Sequence, residues 1–154
     1  MGPILKFMRL RWCDRTALLK TYLLLTSIRL GLWLLPFQGL RKLLDCISRP
    51  SHPAGQPLES WPNLPQPNPQ QMHRRMQMIH LCCRYLPGHV KCLARALTAQ
   101  VILRRHHHPC QLRIGVAKNP RGQLDAHAWV ELKGEVVMGQ VDDLGRYTMM
   151  SALQ

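Results

Sequence analysis

Two stretches of the chain decide its fold: LPGHVKCLARALTAQVILRR at residues 86–105 and LDAHAWVELKGEVVMG at residues 124–139. In the first stretch, a Pro-Gly pair is followed by apolar residues at helical spacing, which predicts a helix over about 92–105. In the second stretch the period changes to two. This change predicts a strand at 124–132, a turn at 133–134 and a further strand after it.

The residues on either side extend this pattern. Leu112, Ile114 and Val116 alternate with less apolar residues, which predicts a strand before the one at 124–132. An earlier helix, ending before Pro87, is indicated by apolar residues spaced 4, 3 and 4 apart: Met72, Met76, Ile79 and Cys83. Two helices followed by a three-stranded antiparallel meander define the α+β class.

The chain divides by composition into three predicted parts. Residues 1–47 form a helical N-terminal segment, and Pro36 separates its two helices. Residues 48–70 contain seven prolines and are predicted to be an extended linker, since proline fixes φ and removes a hydrogen-bond donor. Residues 71–154 form the compact core.

The charge restricts the class of partner. The 154 residues include 21 basic and 8 acidic ones, a formal charge of +13, which favours an anionic partner. Residues 60–124 contain no acid, whereas five of the eight acids lie in residues 125–154. Nucleic acid is not expected, because few aromatics interleave the basic residues and no base-reading module is present. An acidic peptide or partner surface suits the charge equally well.

The most apolar stretch, residues 22–37, is interrupted by polar residues, so neither a transmembrane helix nor a signal peptide is predicted. The N-terminal helices are expected to pack on the domain or on a partner protein. Because basic residues flank these helices, contact with a membrane surface is the alternative. The six cysteines lack paired spacings, which favours free thiols and predicts a cytoplasmic protein. If the N-terminal helices contact a membrane surface, the predicted location is the periphery of the membrane.

Cys92 and His127 are the residues that could carry chemistry. Cys92 begins a predicted helix next to Lys91 and Arg95, where free N–H groups and positive charge favour a thiolate. His127 lies in the middle of the predicted strand 124–132. A cysteine activated by a histidine is the requirement for covalent acyl transfer. The alternative is that both are ordinary buried residues of the core.

A metal site and a cofactor are not expected. His106, His107 and His108 with Cys110 include good zinc ligands, but consecutive histidines cannot all point at one ion in regular structure. A solvated helix end is the preferred interpretation. No phosphate-binding loop of the Gly-x-x-x-x-Gly-Lys type is present.

The stretch 86–105, with LRIGV at 112–116 and AHAWVE at 126–131, closely resembles the B proteins of lasso-peptide biosynthesis, the microcin-processing leader peptidases. Gly134 and Tyr147 extend the similarity. These proteins belong to the transglutaminase-like cysteine-protease superfamily. The resemblance implies a transglutaminase/papain-like core with the nucleophile helix packed on the sheet.

The same resemblance implies an activity. It implies a Cys-His peptidase that removes the leader of a ribosomally made precursor, with Cys92 as the nucleophile and His127 as the general base. The implied partners are the precursor peptide, a separate leader-recognition protein and a macrolactam-forming cyclase. Transamidation by the same chemistry stays open.

The third catalytic residue departs from the family's pattern, since Gly139 occupies the place of the usual aspartate. If residues 133–134 form a two-residue hairpin loop, Gln140 lies opposite His127, and Asp142 lies two residues further along the same face. Asp142 is the first choice for orienting the imidazole and Gln140 the second. A change of register by one residue would exchange these assignments.

Two further alternatives follow from the sequence. Trp129 shares the predicted face of His127, where it either lines the substrate groove or is an aromatic core residue. The missing aspartate favours a second class of function, a non-catalytic docking module for the precursor and the cyclase.

Overall fold

The computed structural model describes residues 12–48, 68–88, 90–119 and 121–150. In this part of the chain, four helices precede a four-stranded sheet. The helices are α1 Trp12–Leu34, α2 Phe37–Ser48, α3 Pro69–Tyr85 and α4 Cys92–Arg105. The strands are β1 Cys110–Lys118, β2 Leu124–Leu132, β3 Glu135–Met138 and β4 Thr148–Met149, with a 3-10 turn at Leu144–Arg146. The predicted α+β class is confirmed.

Helix α4 is the centre of the molecule. It packs on α1, α2 and α3 on one side and on the sheet on the other. Eight of its residues are buried: Ala94, Ala96, Leu97, Thr98, Ala99, Gln100, Val101 and Leu103. Because alanines make up three of them, the neighbouring elements approach the helix closely. A helix fixed on all sides gives its first residue, Cys92, a fixed position.

The N-terminal helices share one core with the rest. Leu18, Leu25 and Ile28 of α1 and Leu40 and Leu44 of α2 belong to the buried cluster that also includes α4 and the sheet. The chain turns between α1 and α2 at Pro36, as the sequence predicts. Residues 49–67 of the predicted linker lie outside the described residues, and the division into three parts stays a prediction.

One segment of α1, Arg15–Leu34, is long and apolar enough to cross a membrane by length and composition, with a mean hydropathy of 1.3. The sequence predicts no transmembrane helix here, because polar residues interrupt the apolar run. A core helix of a soluble protein passes the same test when it is mostly buried. Leu25 and Ile28 are fully buried, but only 22% of this window is buried in all. Contact with a membrane surface stays a prediction.

The sheet has the strand order β3-β2-β1-β4, and all pairs are antiparallel. The three predicted strands are present, and β4 adds a fourth by pairing with Gly115 and Val116 of β1. The alternating residues Ala128, Val130 and Leu132 of β2 join the core shared with α4. His127 and Trp129 therefore lie on the other face of the strand.

Cys110, at the start of β1, gives the fold a pH-dependent contribution. It is 3% exposed, and burial raises its pKa from 9.0 to about 11. The folded state therefore favours the thiol over the thiolate. Its contribution to the free energy of unfolding is complete at pH values below the pKa of the unfolded state. It is lost as the pH rises through the pKa of the folded state. We expect the free energy of unfolding to fall by about 2 kcal/mol between pH 8 and pH 11 through this residue.

Urea unfolding of wild type and Cys110→Ala at several pH values isolates this contribution, because the other titrating groups are common to both proteins. The stability difference between the two should shrink as the pH rises above 9. A difference that does not vary with pH would contradict the prediction.

Candidate active site

Cys92 is the first residue of α4, and the helix start has no side-chain cap. Lys91 occupies the N-cap position, and its carbonyl accepts from Ala94 N and Arg95 N. The N–H groups of Cys92 and Leu93 have no partner within the helix. They place the positive end of the helix dipole at the thiol and can donate to an oxyanion that develops there.

Arg29 of α1 holds the loop that leads into α4. Its Nη1 donates to Pro87 O at 2.5 Å. Gly88 has a φ of +82°, and a Cβ there would lie 2.7 Å from Arg29 Nη2. Only glycine adopts this turn against the guanidinium without strain. Sequence reasoning missed Arg29, since the contact joins residues 58 apart in the chain.

A main-chain carbonyl orients His127. Its Nε2 lies 2.6 Å from Gly139 O. A carbonyl oxygen only accepts hydrogen bonds, so Nε2 carries the proton. In the neutral ring, Nδ1 then presents the lone pair. Nδ1 is therefore the atom that can take a proton from a nucleophile.

The register between β2 and β3 differs from the prediction. The hairpin begins as expected, but a bulge makes Val130 pair with Met138, where β3 ends. The predicted opposition of His127 and Gln140 is therefore wrong, because β3 has gained one residue relative to β2. Gln140 and Asp142 are exposed. The hydrogen bond of His127 goes to neither of them.

Gly139 cannot carry the missing carboxylate. Its φ is +86°, and a Cβ on it would lie 2.7 Å from Ala128 O and 3.0 Å from Trp129 Cα. The chain turns here with its carbonyl toward His127. The carbonyl dipole fixes the tautomer as a carboxylate would, but it does not bring the full negative charge that stabilises an imidazolium. No side-chain pattern in the sequence could have indicated a backbone group.

Cys92 reaches the strand that carries His127. Its Sγ lies 3.9 Å from Ala126 O, at the long limit of an S–H hydrogen bond. Carbonyls two residues apart in a strand point to the same side, so Ala126 O points to the same side as Ala128 O. Ala128 O faces the turn at Gly139. The thiol and the orienting bond of His127 thus lie at one edge of β2, beyond the end of β3.

Trp129 packs beside His127. The two ring centroids are 6.2 Å apart and their planes differ by 17°. Trp129 is 2% exposed, and its Nε1 donates to Glu131 Oε1 at 2.8 Å. Arg113 Nε in turn donates to Glu131 Oε2 at 3.1 Å. The burial favours the core interpretation of Trp129 over the groove-lining one.

Tyr147 contacts His127 from another direction, with ring centroids 5.4 Å apart. Its hydroxyl donates to Asp125 Oδ2 at 2.8 Å, and Arg146 Nη2 donates to the same oxygen at 2.9 Å. The hydrogen bond to Tyr147 and the nearby charges of Asp143 and Asp125 raise the pKa of Arg146. This ionic cluster fixes Tyr147 and through it the imidazole. In the sequence, only the resemblance had pointed to Tyr147.

Burial affects three of the other described cysteines. Burial raises the pKa of Cys82 to about 11 and that of Cys110 to about 11, and it also raises the pKa of Cys83. These three are thiols at neutral pH, whereas Cys46 is exposed. All five are free.

No group of three or more His, Cys, Asp or Glu side chains in the described ranges is arranged to hold a metal ion. His106 and His107 form the turn that ends α4.

A groove of about 590 Å³ lies beside the start of α4. Lys91 and Ala94, on either side of Cys92 in the chain, form one wall. Helix α1 forms the other wall with Tyr22 and Trp33, and Trp33 is 82% exposed. The groove offers an extended peptide an apolar surface beside the start of α4, although Cys92 itself is not among its lining residues.

Residues 22–152 match the family model of the transglutaminase-like superfamily. The match extends from α1 through the sheet, and the chain belongs to this superfamily. The superfamily often includes cysteine peptidases, so the class of function indicated is that of a cysteine protease or a related enzyme. Neither a curated protein nor a solved structure matches the chain.

Proposed function

We propose that this protein is a cysteine peptidase that removes the leader from a ribosomally synthesised lasso-peptide precursor. Two observations carry the proposal: Cys92 Sγ reaches Ala126 O, next to His127 in β2, and Gly139 O holds His127 by its Nε2. The similarity of 86–105 and 126–131 to the lasso B proteins supplies the substrate class. Membership of the transglutaminase-like superfamily supports the chemistry.

The proposed chemistry is acyl transfer by a Cys-His pair. Nδ1 of His127 takes the thiol proton, and the Cys92 thiolate attacks the carbonyl of the scissile peptide bond. The free N–H groups of Cys92 and Leu93 stabilise the oxyanion. His127 then protonates the leaving amine, and water releases the leader from the acyl-enzyme. An amine in place of water would give transamidation.

The partners proposed are a precursor peptide, a separate leader-recognition protein and a cyclase that closes the macrolactam. The groove beside α4 is apolar, with Arg29 and Lys91 among its lining residues. These cations suit a leader segment that carries acidic residues next to apolar ones.

Mass spectrometry of a cleavage reaction tests the proposal. The reaction combines this protein with the precursor and the recognition protein encoded beside its gene. Wild type should release a discrete leader fragment, and Cys92→Ala should release none. Cys46→Ala is the matched control, because it removes an exposed cysteine far from His127 and should cleave as wild type does.

The second candidate is a docking module, which the absence of an aspartate at Gly139 favours. A wild-type protein that binds the precursor without cleaving it, with its partners present, would support this candidate against the peptidase. Cleavage by Cys92→Ala would also contradict the peptidase mechanism.

A further inference from the structure

A second cavity lies at the other end of α4 from Cys92. It is an open pocket of about 280 Å³ between α1, α3 and α4, and Lys20, Arg105 and His106 of its lining are exposed. The 14 residues of α4 separate it from the thiol by about 20 Å. Ten residues line it: Thr16, Ala17, Lys20, Thr21, Leu24, Arg75, Met78, Ile102, Arg105 and His106.

The charge of this cavity is all of one sign. Lys20, Arg75 and Arg105 are cationic, His106 adds an imidazole, and none of the ten lining residues is acidic. The described side chains of the helices include one carboxylate, Asp45, and it pairs with Arg104 instead. Three cations thus share a concave site without a carboxylate among its lining residues.

The positive charges at this end of α4 act on the neighbouring histidines. Burial, followed by the charges of Arg75, His108, His107 and Arg105, lowers the pKa of His106. Burial also lowers the pKa of Arg75. His108, whose Nδ1 is buried without a hydrogen-bond partner, is also within electrostatic reach of Arg75. An anion in the cavity would relieve this repulsion.

We propose that this cavity binds a phosphate group. Two guanidinium groups offer the planar donor pairs that match phosphate oxygens, and Lys20 adds a third cation for a doubly charged ligand. Inorganic phosphate and a phospholipid headgroup share this chemistry. Leu19 and Leu23, 58% and 56% exposed, flank Lys20 on α1, so a headgroup would bring its acyl chains beside apolar surface.

Thermal unfolding of the full chain in inorganic phosphate, with chloride at the same ionic strength as the reference, measures binding. Wild type should show a saturable rise in Tm with phosphate. Arg75→Gln should weaken binding by about tenfold, because it removes charge-assisted hydrogen bonds. Arg74→Gln is the matched control: it is the adjacent arginine of α3, exposed and outside the cavity, and should bind as wild type does.

Vesicles of phosphatidylcholine with and without phosphatidic acid distinguish the source of the phosphate. The site binds a lipid headgroup if wild type sediments with the phosphatidic acid vesicles. In that case Arg75→Gln should abolish sedimentation and Arg74→Gln should retain it. A response to inorganic phosphate alone assigns it to a soluble phosphate compound.

The proposal fails if phosphate raises Tm no more than chloride does and no vesicle binding depends on Arg75. It also fails if polyglutamate binds through Arg75 while phosphate does not, since the site would then recognise an acidic peptide. The cavity lies apart from Cys92, so these results are independent of the cleavage assay.

Discussion

In wild type, iodoacetamide should alkylate Cys92 faster than Cys46 at neutral pH, and His127→Ala should remove this advantage. The thiolate is the reacting form, and in the proposed mechanism His127 takes the proton of Cys92, which lies at the uncapped start of α4. Removal of the base should lower the Cys92 rate by about a hundredfold, at the lower end of the range for general-base catalysis. Peptide mapping by mass spectrometry at several reaction times measures both rates in one sample.

Cys46 serves as the internal reference for this measurement. It is exposed on α2, and its rate should be the same in wild type and in His127→Ala. Cys82 and Cys110 should stay unlabelled in the folded protein, because both are buried. Equal rates for Cys92 and Cys46 in wild type would contradict an activated nucleophile.

The elements that carry Cys92 and His127 were predictable from the sequence. The helix beginning at Cys92 and the strand Leu124–Leu132 have the predicted bounds. Both are positioned by local signals, a Pro-Gly loop before the helix and a period of two in the strand. Local signals suffice there because the hydrophobic pattern and the turn residues agree with the final packing.

The partners of these residues were not predictable, because they depend on contacts distant in sequence. The bulge beside Val130 has no signature in the pattern of apolar residues, yet it decides which group faces His127. Arg29 reaches the loop before Cys92 only after α1 has packed on α4. The two-residue strand β4 is too short to have a period of its own.

Gly139→Asp introduces the aspartate that the resemblance to the lasso B proteins implies at this position, but we expect it to destabilise the protein and inactivate the site. A Cβ at this position would overlap Ala128 O at 2.7 Å, and the φ of +86° is unfavourable for any side chain. The combined cost should be about 2–4 kcal/mol in the free energy of unfolding. The turn can relieve the overlap only by moving the carbonyl that holds His127, so alkylation of Cys92 should slow toward the rate in His127→Ala.

Gly145→Asp is the matched control, since a Cβ there meets nothing within 4 Å, and it should leave stability and alkylation nearly unchanged. Gln140→Ala and Asp142→Ala should likewise keep the Cys92 rate, because both side chains are exposed and His127 bonds to the main chain. A fall in the Asp142→Ala rate comparable to that of His127→Ala would return the orienting role to the carboxylate. A Gly139→Asp protein that is stable and reacts faster than wild type would show that a carboxylate fits here, and the main-chain carbonyl would then be a weaker substitute for it.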